Sequence, residues 1–475
     1  MAGCAESALA VAEAHEAEGT ASPSTRVFAL RAVAQAVATG RAQMEVRRNH
    51  GSGAGPQVQH LVPAARWRRQ GPLRTVLPSA RPSLRMGTQQ QLTAQLVRLG
   101  LDMPVSWSLL TPVAVSAASL VATVDSDAIR MHCRWLLSQV ESRLLDLSFG
   151  NDDASVMQAA VILSAGCNAG MRMLRSQAVL SASLVERTDT TPAEATVRLL
   201  KAVAMSGTHD DELFRGLVRR VSRLLSELSL PQLADVAFAL SISTRHSEHL
   251  LTDLCFARAA KLLHDLAVQN ETAHPYCLFQ LYLVHVVASS SGRGDGLRAR
   301  MDASLPTAAA RSVLNTIRQG AEQAQLGVSR GSRSSGSWHL SPAAWRGEVS
   351  EALLAVAGAD FTRVRLDVGL KNRFKWSHLF TNMDFAVHCA PSSAYMFGPV
   401  SPISAGADSL DLPTECELQH TLRPSFQAML DATCSGGGAV QTISFASWAE
   451  ALSPLSRERL VREALAKAAE SQVRT

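Results

Sequence analysis

Arg215, Arg219, Arg220 and Arg223 fall at i, i+4, i+5 and i+8, a spacing that sets all four along one face of a helix. Such a stripe can track phosphates and release the counterions that a nucleic acid carries. The same residues also read as a solvated face balanced by Asp210, Asp211 and Glu212. A second cluster is Lys371, Arg373 and Lys375, beside the aromatic Phe374 and Trp376. Cations interleaved with rings can pair phosphates and stack bases, each stacked base contributing about 1–3 kcal/mol. No acid lies between Asp367 and Asp384 to neutralise it. Its plainer reading is a solvated turn with a packed Trp.

Other reactive residue types give little. The cysteines, at 4, 133, 167, 255, 277, 389, 416 and 434, form no C-x-x-C pair and have irregular spacings. That argues against a zinc site or a secreted disulfide framework. They read as small buried apolar residues in a reducing compartment. His246, His249 and His264 have no carboxylate or Cys at ligand spacing that would raise them above solvent-facing or satisfied polar residues, so no metal or other cofactor is expected. No stretch approaches the ~18 uncharged apolar residues of a membrane helix, and no small-molecule substrate is indicated.

The elements that would carry these clusters are helices. Of 475 residues, 47% are hydrophobic, 18% charged and only 5% aromatic, which favours helix-on-helix packing and excludes wholesale disorder. Thr111-Pro112 and Thr191-Pro192 each open an apolar helical run, and Leu230-Pro231 opens another. Pro is favoured in a first helical turn because its missing N–H costs nothing there. Residues 191–228 and 230–266 align as helix, polar break, helix. Leu199 and Leu200 fall in phase with Phe238 and Ala239, and Leu213 with Leu251. Looser copies cover 111–147 and 153–187, and another runs from 274 to about 317. Short one-sided helices cannot bury their stripes in isolated pairs, but a stack can. The fold class expected over 105–317 is therefore an α-solenoid of helix-pair repeats of about 38–40 residues. An irregular helical bundle is the alternative.

Residues 1–104 form an Arg-rich N-terminal extension. Glu6, Glu13, Glu16 and Glu18 come first, and then residues 24–104 hold twelve Arg against Glu45 and Asp102. Thr25 to Val46 reads as an amphipathic helix. Acid-poor, Arg-rich and amphipathic is the composition of an organellar transit peptide; a permanent basic tail on nucleic acid or a plain disordered extension are the alternatives. Residues 105–317 hold nineteen bases and twenty acids, so the repeats are near neutral. Residues 318–340 read as a flexible Gly/Ser/Arg linker.

From 341 to 475 the pattern changes to a small α/β domain. A helix is expected from Trp345 to Val356, strands over Phe361–Leu370 and Met383–His388, a third over Met396–Pro399 that ends in a Gly-Pro turn, a helix around Phe426–Leu430, and a further strand over Val440–Phe445. Trp448 to Ala469 begins and ends helically. Glu348-Val349-Ser350, Met383-Asp384-Phe385-Ala386, Phe397-Gly398-Pro399, Leu422 to Leu430, and Ile443-Ser444-Phe445-Ala446-Ser447-Trp448 stand in that order. In order and spacing they resemble the RAP domain, over roughly residues 345–467. In that family the domain follows helical repeats, as in FAST-kinase-domain and octotricopeptide-repeat proteins, and has a restriction-endonuclease-like fold. The resemblance implies an RNA-binding protein of mitochondrial gene expression, acting on mRNA or rRNA in processing, stability or translation. A plastid is the alternative location. It also ranks the Lys371 cluster ahead of the Arg215 face.

A nuclease needs two or more carboxylates and commonly a Lys around a metal. Asp384 is one acid. The family's further acidic positions fall here at Tyr395 and Phe397, and its Lys near Arg423 or Pro424, which leaves Asp384 without partners. The chain is expected not to be an enzyme. The near-neutral repeats keep open a second class, a structural subunit of a mitochondrial ribosome or other large ribonucleoprotein, with ribosomal proteins as partners.

Overall fold

The computed structural model describes the chain except residues 1, 18–21, 52–61, 64–85, 104, 125, 148–152, 185–188, 208–210, 244–247, 330–348, 350, 354, 357–362, 370–374, 381–384, 391–393, 406–409, 436–438 and 474–475. The chain is mostly helical, with a small C-terminal sheet and its helices.

After α1 (Ala2–Ala17), α2 (Pro23–Gly51) and α3 (Met86–Leu101), the helices come in pairs. These are α4 (Trp107–Thr123) with α5 (Asp127–Asp146), and α6 (Asp153–Asn168) with α7 (Leu174–Leu184). Next are α8 (Ala193–Ser206) with α9 (Asp211–Leu224), and α10 (Leu230–Ile242) with α11 (His249–Val268). Then come α12 (Pro275–Ser290), α13 (Gly294–Ser304) and α14 (Thr307–Ser329). Two rows result. In the first, α2, α4, α6, α8, α10, α12 and α14 each pack on the next member of that series. In the second, α3 packs on α5, α5 on α7, α7 on α9, and α11 on α13.

The local causes are visible in the sequence. At α10, Pro231 sits in the first turn, and the Ser229 backbone N–H donates to Gln232 Oε1 at 2.9 Å while the Ser229 hydroxyl serves the N3 amide. This reciprocal cap satisfies amides that the helix cannot. Leu199, Leu200, Phe238 and Ala239, matched in phase between the two repeats, are all buried. Between neighbouring second-row helices, Glu141 on α5 accepts the N–H groups of Arg175 and Ser176 at the start of α7, at 2.9 and 3.2 Å. Burial pushes the Glu141 carboxyl up, against those hydrogen bonds.

Three expectations need correction. Pro112 does not open a helix: α4 begins at Trp107 and Pro112 lies inside it, where it leaves the Ser108 carbonyl without its i→i−4 N–H partner. Residues 318–329, expected in the linker, continue α14, whose buried Val313, Ile317 and Ala321 form a stripe against α12; the rest of that segment, from 330, lies outside the described residues. The N-terminal helices are not a plain extension. Val27, Leu30, Val33 and Val37 of α2 are buried in the same core as α3 and α4. Two of the N-terminal segment's acids are paired internally, Glu13 accepting from Gln91 and Asp102 meeting Arg26 at 2.6 Å.

The principal sheet is ordered β1–β2–β3–β4–β9, with β1 (Val62–Pro63), β2 (Arg363–Gly369), β3 (Lys375–Phe380), β4 (Phe385–Ala390) and β9 (Ala439–Ser444). Pairing is antiparallel up to β4, and β9 then lies parallel to β4, with Phe385 opposite Ala439 and Ala390 opposite Ser444. Between β4 and β9 the chain makes β5 (Tyr395–Phe397), β6 (Ser404–Ala405), β7 (Leu410–Asp411), β8 (His420–Leu422) and α15 (Pro424–Ser435). It closes with α16 (Phe445–Glu450) and α17 (Pro454–Val473), the latter packed on β4 and β9. β3 was not expected, because its basic start reads as a turn.

The C-terminal region is seated on the helices rather than apart from them. α15 packs on α8, α10 and α12 of the first row. Phe397 pairs with Met171 in a parallel bridge, the Phe397 N–H donating to Gly170 O at 2.7 Å and the Arg172 N–H to Phe397 O at 2.9 Å. Gly170 has φ +80°, and a Cβ there would lie 2.7 Å from Arg423 Nη2 and 3.1 Å from Tyr395 O. Gly170→Ala should therefore cost about 1–3 kcal/mol, from left-handed strain and crowding together. A melting temperature equal to that of the parent chain would show that this junction is loose.

Candidate nucleic-acid interface

The four arginines expected on one face all belong to α9, but they do different things. Arg220 is half-buried and its Nε donates to Thr191 O at 3.1 Å. Arg223 meets Asp189 at 2.6 Å, and that hydrogen bond holds the Asp189 carboxyl below its usual range, with Arg219 and Arg220 adding to it. These two hold the stretch of chain between α7 and α8. Arg215 and Arg219 are exposed. They line an open groove of about 620 Å³ between α9 and α11, whose other walls are Val218, Leu250, Leu251 and Leu254, with Glu248 at one side. Two of the four expected cations thus face a groove, and two serve the fold.

Lys375 and Trp376 are the first residues of β3, opposite Gly369 and Val368 at the end of the β2–β3 hairpin. Lys371 and Arg373 lie outside the described residues, in the segment joining the two strands. Of this cluster the structure describes only the backbone of Lys375 and Trp376, at the start of β3.

The two positions expected to match the resembled family's acids are occupied by buried rings. Tyr395 and Phe397 are buried at β5 and pack against His420 and Phe445, ring centroids 5.1–6.2 Å apart. Arg423, near the expected Lys, turns toward the helices. Its Nη1 and Nη2 donate to Cys167 O and Asn168 O at 3.2 and 3.3 Å, and its Nε to Tyr395 O at 3.3 Å. A guanidinium there complements the carbonyl end of α6 and its dipole. Burial lowers Arg423 to about 10, so it stays charged at neutral pH. Asp384 lies outside the described residues.

Sequence reasoning missed two further polar clusters. Arg134 on α5 is buried, pairs with Glu415, and lies over the Phe397 ring, 4.3 Å from its centroid. Arg130 Nε is 3.4 Å from the same carboxylate. In the first row, Lys201 Nζ is 2.5 Å from Asp235 Oδ1 and 4.9 Å from the centre of the Tyr276 ring, and Gln280 donates to Asp235 at 2.7 Å. Burial acts against the Lys201 ammonium, but Tyr276 and Asp235 outweigh it and hold it charged. This ladder joins α8, α10 and α12. No periodic signal marks either cluster; each needs the tertiary fold.

Among the described residues no group of three or more His, Cys, Asp or Glu could hold a metal ion, and no helix is long and apolar enough to cross a membrane. Cys133, Cys167, Cys255 and Cys277 are buried and unbridged, whereas Cys416 is half-buried and Cys434 exposed. The chain matches no protein-family model, and no curated protein is found similar to it.

Proposed function

We propose that the chain is a non-catalytic RNA-binding protein of organellar, and specifically mitochondrial, gene expression. In this reading the paired helices form an α-solenoid and residues 341–475 a RAP-like domain that closes it. The observation that carries it is the pair of exposed cations, Arg215 and Arg219, on one wall of an open groove. Phosphates follow such a wall, and the α2–α3 segment and the β2–β3 hairpin supply further cations. A concave first-row surface, the usual place for a ligand in a helical stack, is a poor site over α8, α10 and α12, because α15 covers it. In this reading the RNA runs along α9 and avoids the part of the first row that α15 covers.

Crosslinking in cells separates the two basic sites. Neutralising Lys371, Arg373 and Lys375 together is compared with neutralising Arg215 and Arg219. Loss in the second alone assigns RNA contact to α9, and loss in the first alone assigns it to the hairpin. Undiminished crosslinking in both variants would overturn both assignments.

The mitochondrial location rests on the Arg-rich N-terminal composition. Residues 1–104 fused to a reporter are expected to carry it to mitochondria, and a cytosolic or nuclear signal would count against this location.

One observation favours the second reading, a subunit of a ribonucleoprotein such as a mitochondrial ribosome. Leu452, in the turn between α16 and α17, is 90% exposed, and Leu455, in the first turn of α17, 78%. Exposed large apolar groups close in sequence suit a protein partner. Stoichiometric sedimentation with ribosomal particles in high salt supports that reading, and release supports the free factor.

A further inference from the structure

The α9 groove can hold a phosphate backbone, but among the described residues that line it there is no ring to stack on a base and no side-chain amide to read one, and Glu248 stands in it. A second cavity has the complementary set. It lies between α12 and α14, has a volume of about 310 Å³, and none of its lining residues is acidic. That is the low end of the ~300–1,000 Å³ typical of small-ligand sites. Val286 and Leu314 form its apolar walls. Tyr282 and His285 border it one turn apart on α12, and His285 is itself backed by the Phe256 ring, stacked at 24° with centroids 6.4 Å apart. From α14 come Asn315 and Arg318, both exposed and one turn apart.

The two helices are held in register beside it. Gly320 of α14 sits so close to Leu278 of α12 that a Cβ would lie 2.2 Å from Leu278 Cδ1. This close approach sets the spacing of α12 and α14 beside the cavity. α15 also packs on α12, but none of its residues lines the cavity, which stays open where the rest of that surface is covered.

We propose that this cavity takes one nucleotide of a single-stranded RNA, with the base between the apolar walls, its edge on Asn315 and the adjoining phosphate on Arg318. This rests on the RNA-binding reading. An amide presents a donor and an acceptor side by side and so pairs with two adjacent groups on a base edge, a match that discriminates between bases. Unstacked bases of single strands are the form of RNA that offers such edges. The half-buried His285 imidazole at the rim supplies a ring face of the kind that the described lining of the α9 groove lacks. The division of labour is then plain: α9 holds the backbone, and the α12–α14 cavity reads one base.

The test uses the full-length chain and labelled 12-nucleotide homopolymers of A, C, G and U, with binding read by fluorescence anisotropy. The unaltered protein should prefer one or two of the four. Asn315→Leu keeps the bulk and removes the amide. It should cut affinity for the preferred polymer about tenfold and leave the others within about twofold. Arg318→Gln should weaken all four alike and flatten the salt dependence by roughly 0.7 in slope, because one phosphate is no longer neutralised. Crosslinked nucleotides should map to residues 282–289 or 314–318. An unchanged homopolymer profile in Asn315→Leu overturns the cavity's role; if Arg215→Gln/Arg219→Gln still weakens binding, the RNA reading survives it. Failure of the unaltered protein to bind any homopolymer removes both. Protection of 314–318 by polyglutamate but not by RNA would assign the cavity to a protein carboxylate and overturn the proposal.

Discussion

Glu415→Ala is expected to destabilise the junction between the helices and the C-terminal region by about 3–5 kcal/mol, the usual cost of removing one partner from a buried ion pair. Arg134 and Glu415 have side chains only 3% and 9% exposed. Without the carboxylate, the Arg134 guanidinium would remain buried with Arg130 close by, and its position over the Phe397 ring would not replace the missing charge. Hydrogen exchange at β8 and α15 is the direct readout, since these elements follow Glu415 and α15 lies against α8, α10 and α12. They should open well before the helix pairs. Adding Arg134→Met to Glu415→Ala should restore much of the stability, because an apolar pair of similar volume carries no desolvation penalty. A destabilisation under about 1 kcal/mol would mean that the pair is screened by water, as surface pairs are.

The junction also marks what the sequence could not disclose. The helix pairs were legible because their causes are local: a Pro in a first turn, a polar break, and apolar residues in phase over 191–228 and 230–266. β2, β4 and β9 were legible from alternation between turns, with shifts of a residue or more at their ends. β3 was not, because Lys375 and Trp376 follow a basic turn and take extended form through pairing with β2. Arg134 and Glu415 are 281 residues apart, and nothing local distinguishes either from a surface charge. Arg423 was legible only as standing near an expected Lys, yet its partners are carbonyls at the end of α6. The same limit applies to the arginine face. Spacing placed Arg215, Arg219, Arg220 and Arg223 together, but only the fold separates the two that hold Thr191 and Asp189 from the two at the groove. The N-terminal segment shows the reverse error. Its composition suggested an appendage, while Val27, Leu30 and Val33 join the common core, because an amphipathic stripe serves equally well against a neighbouring helix.

Arg215→Gln/Arg219→Gln is expected to weaken RNA binding about tenfold or more near physiological salt while leaving the melting temperature nearly unchanged. Both side chains are exposed, and substitutions at such positions usually change stability by less than about 0.5 kcal/mol. The deciding measurement is the affinity of the full-length chain for single-stranded RNA across a salt series, with and without these two arginines. If α9 holds the phosphate backbone, log K should fall linearly with log salt, and the slope should shrink by about 1.4 in the double variant, roughly 0.7 for each phosphate left without its arginine. Undetectable binding by the unaltered chain, or an identical slope in the variant, would contradict the account.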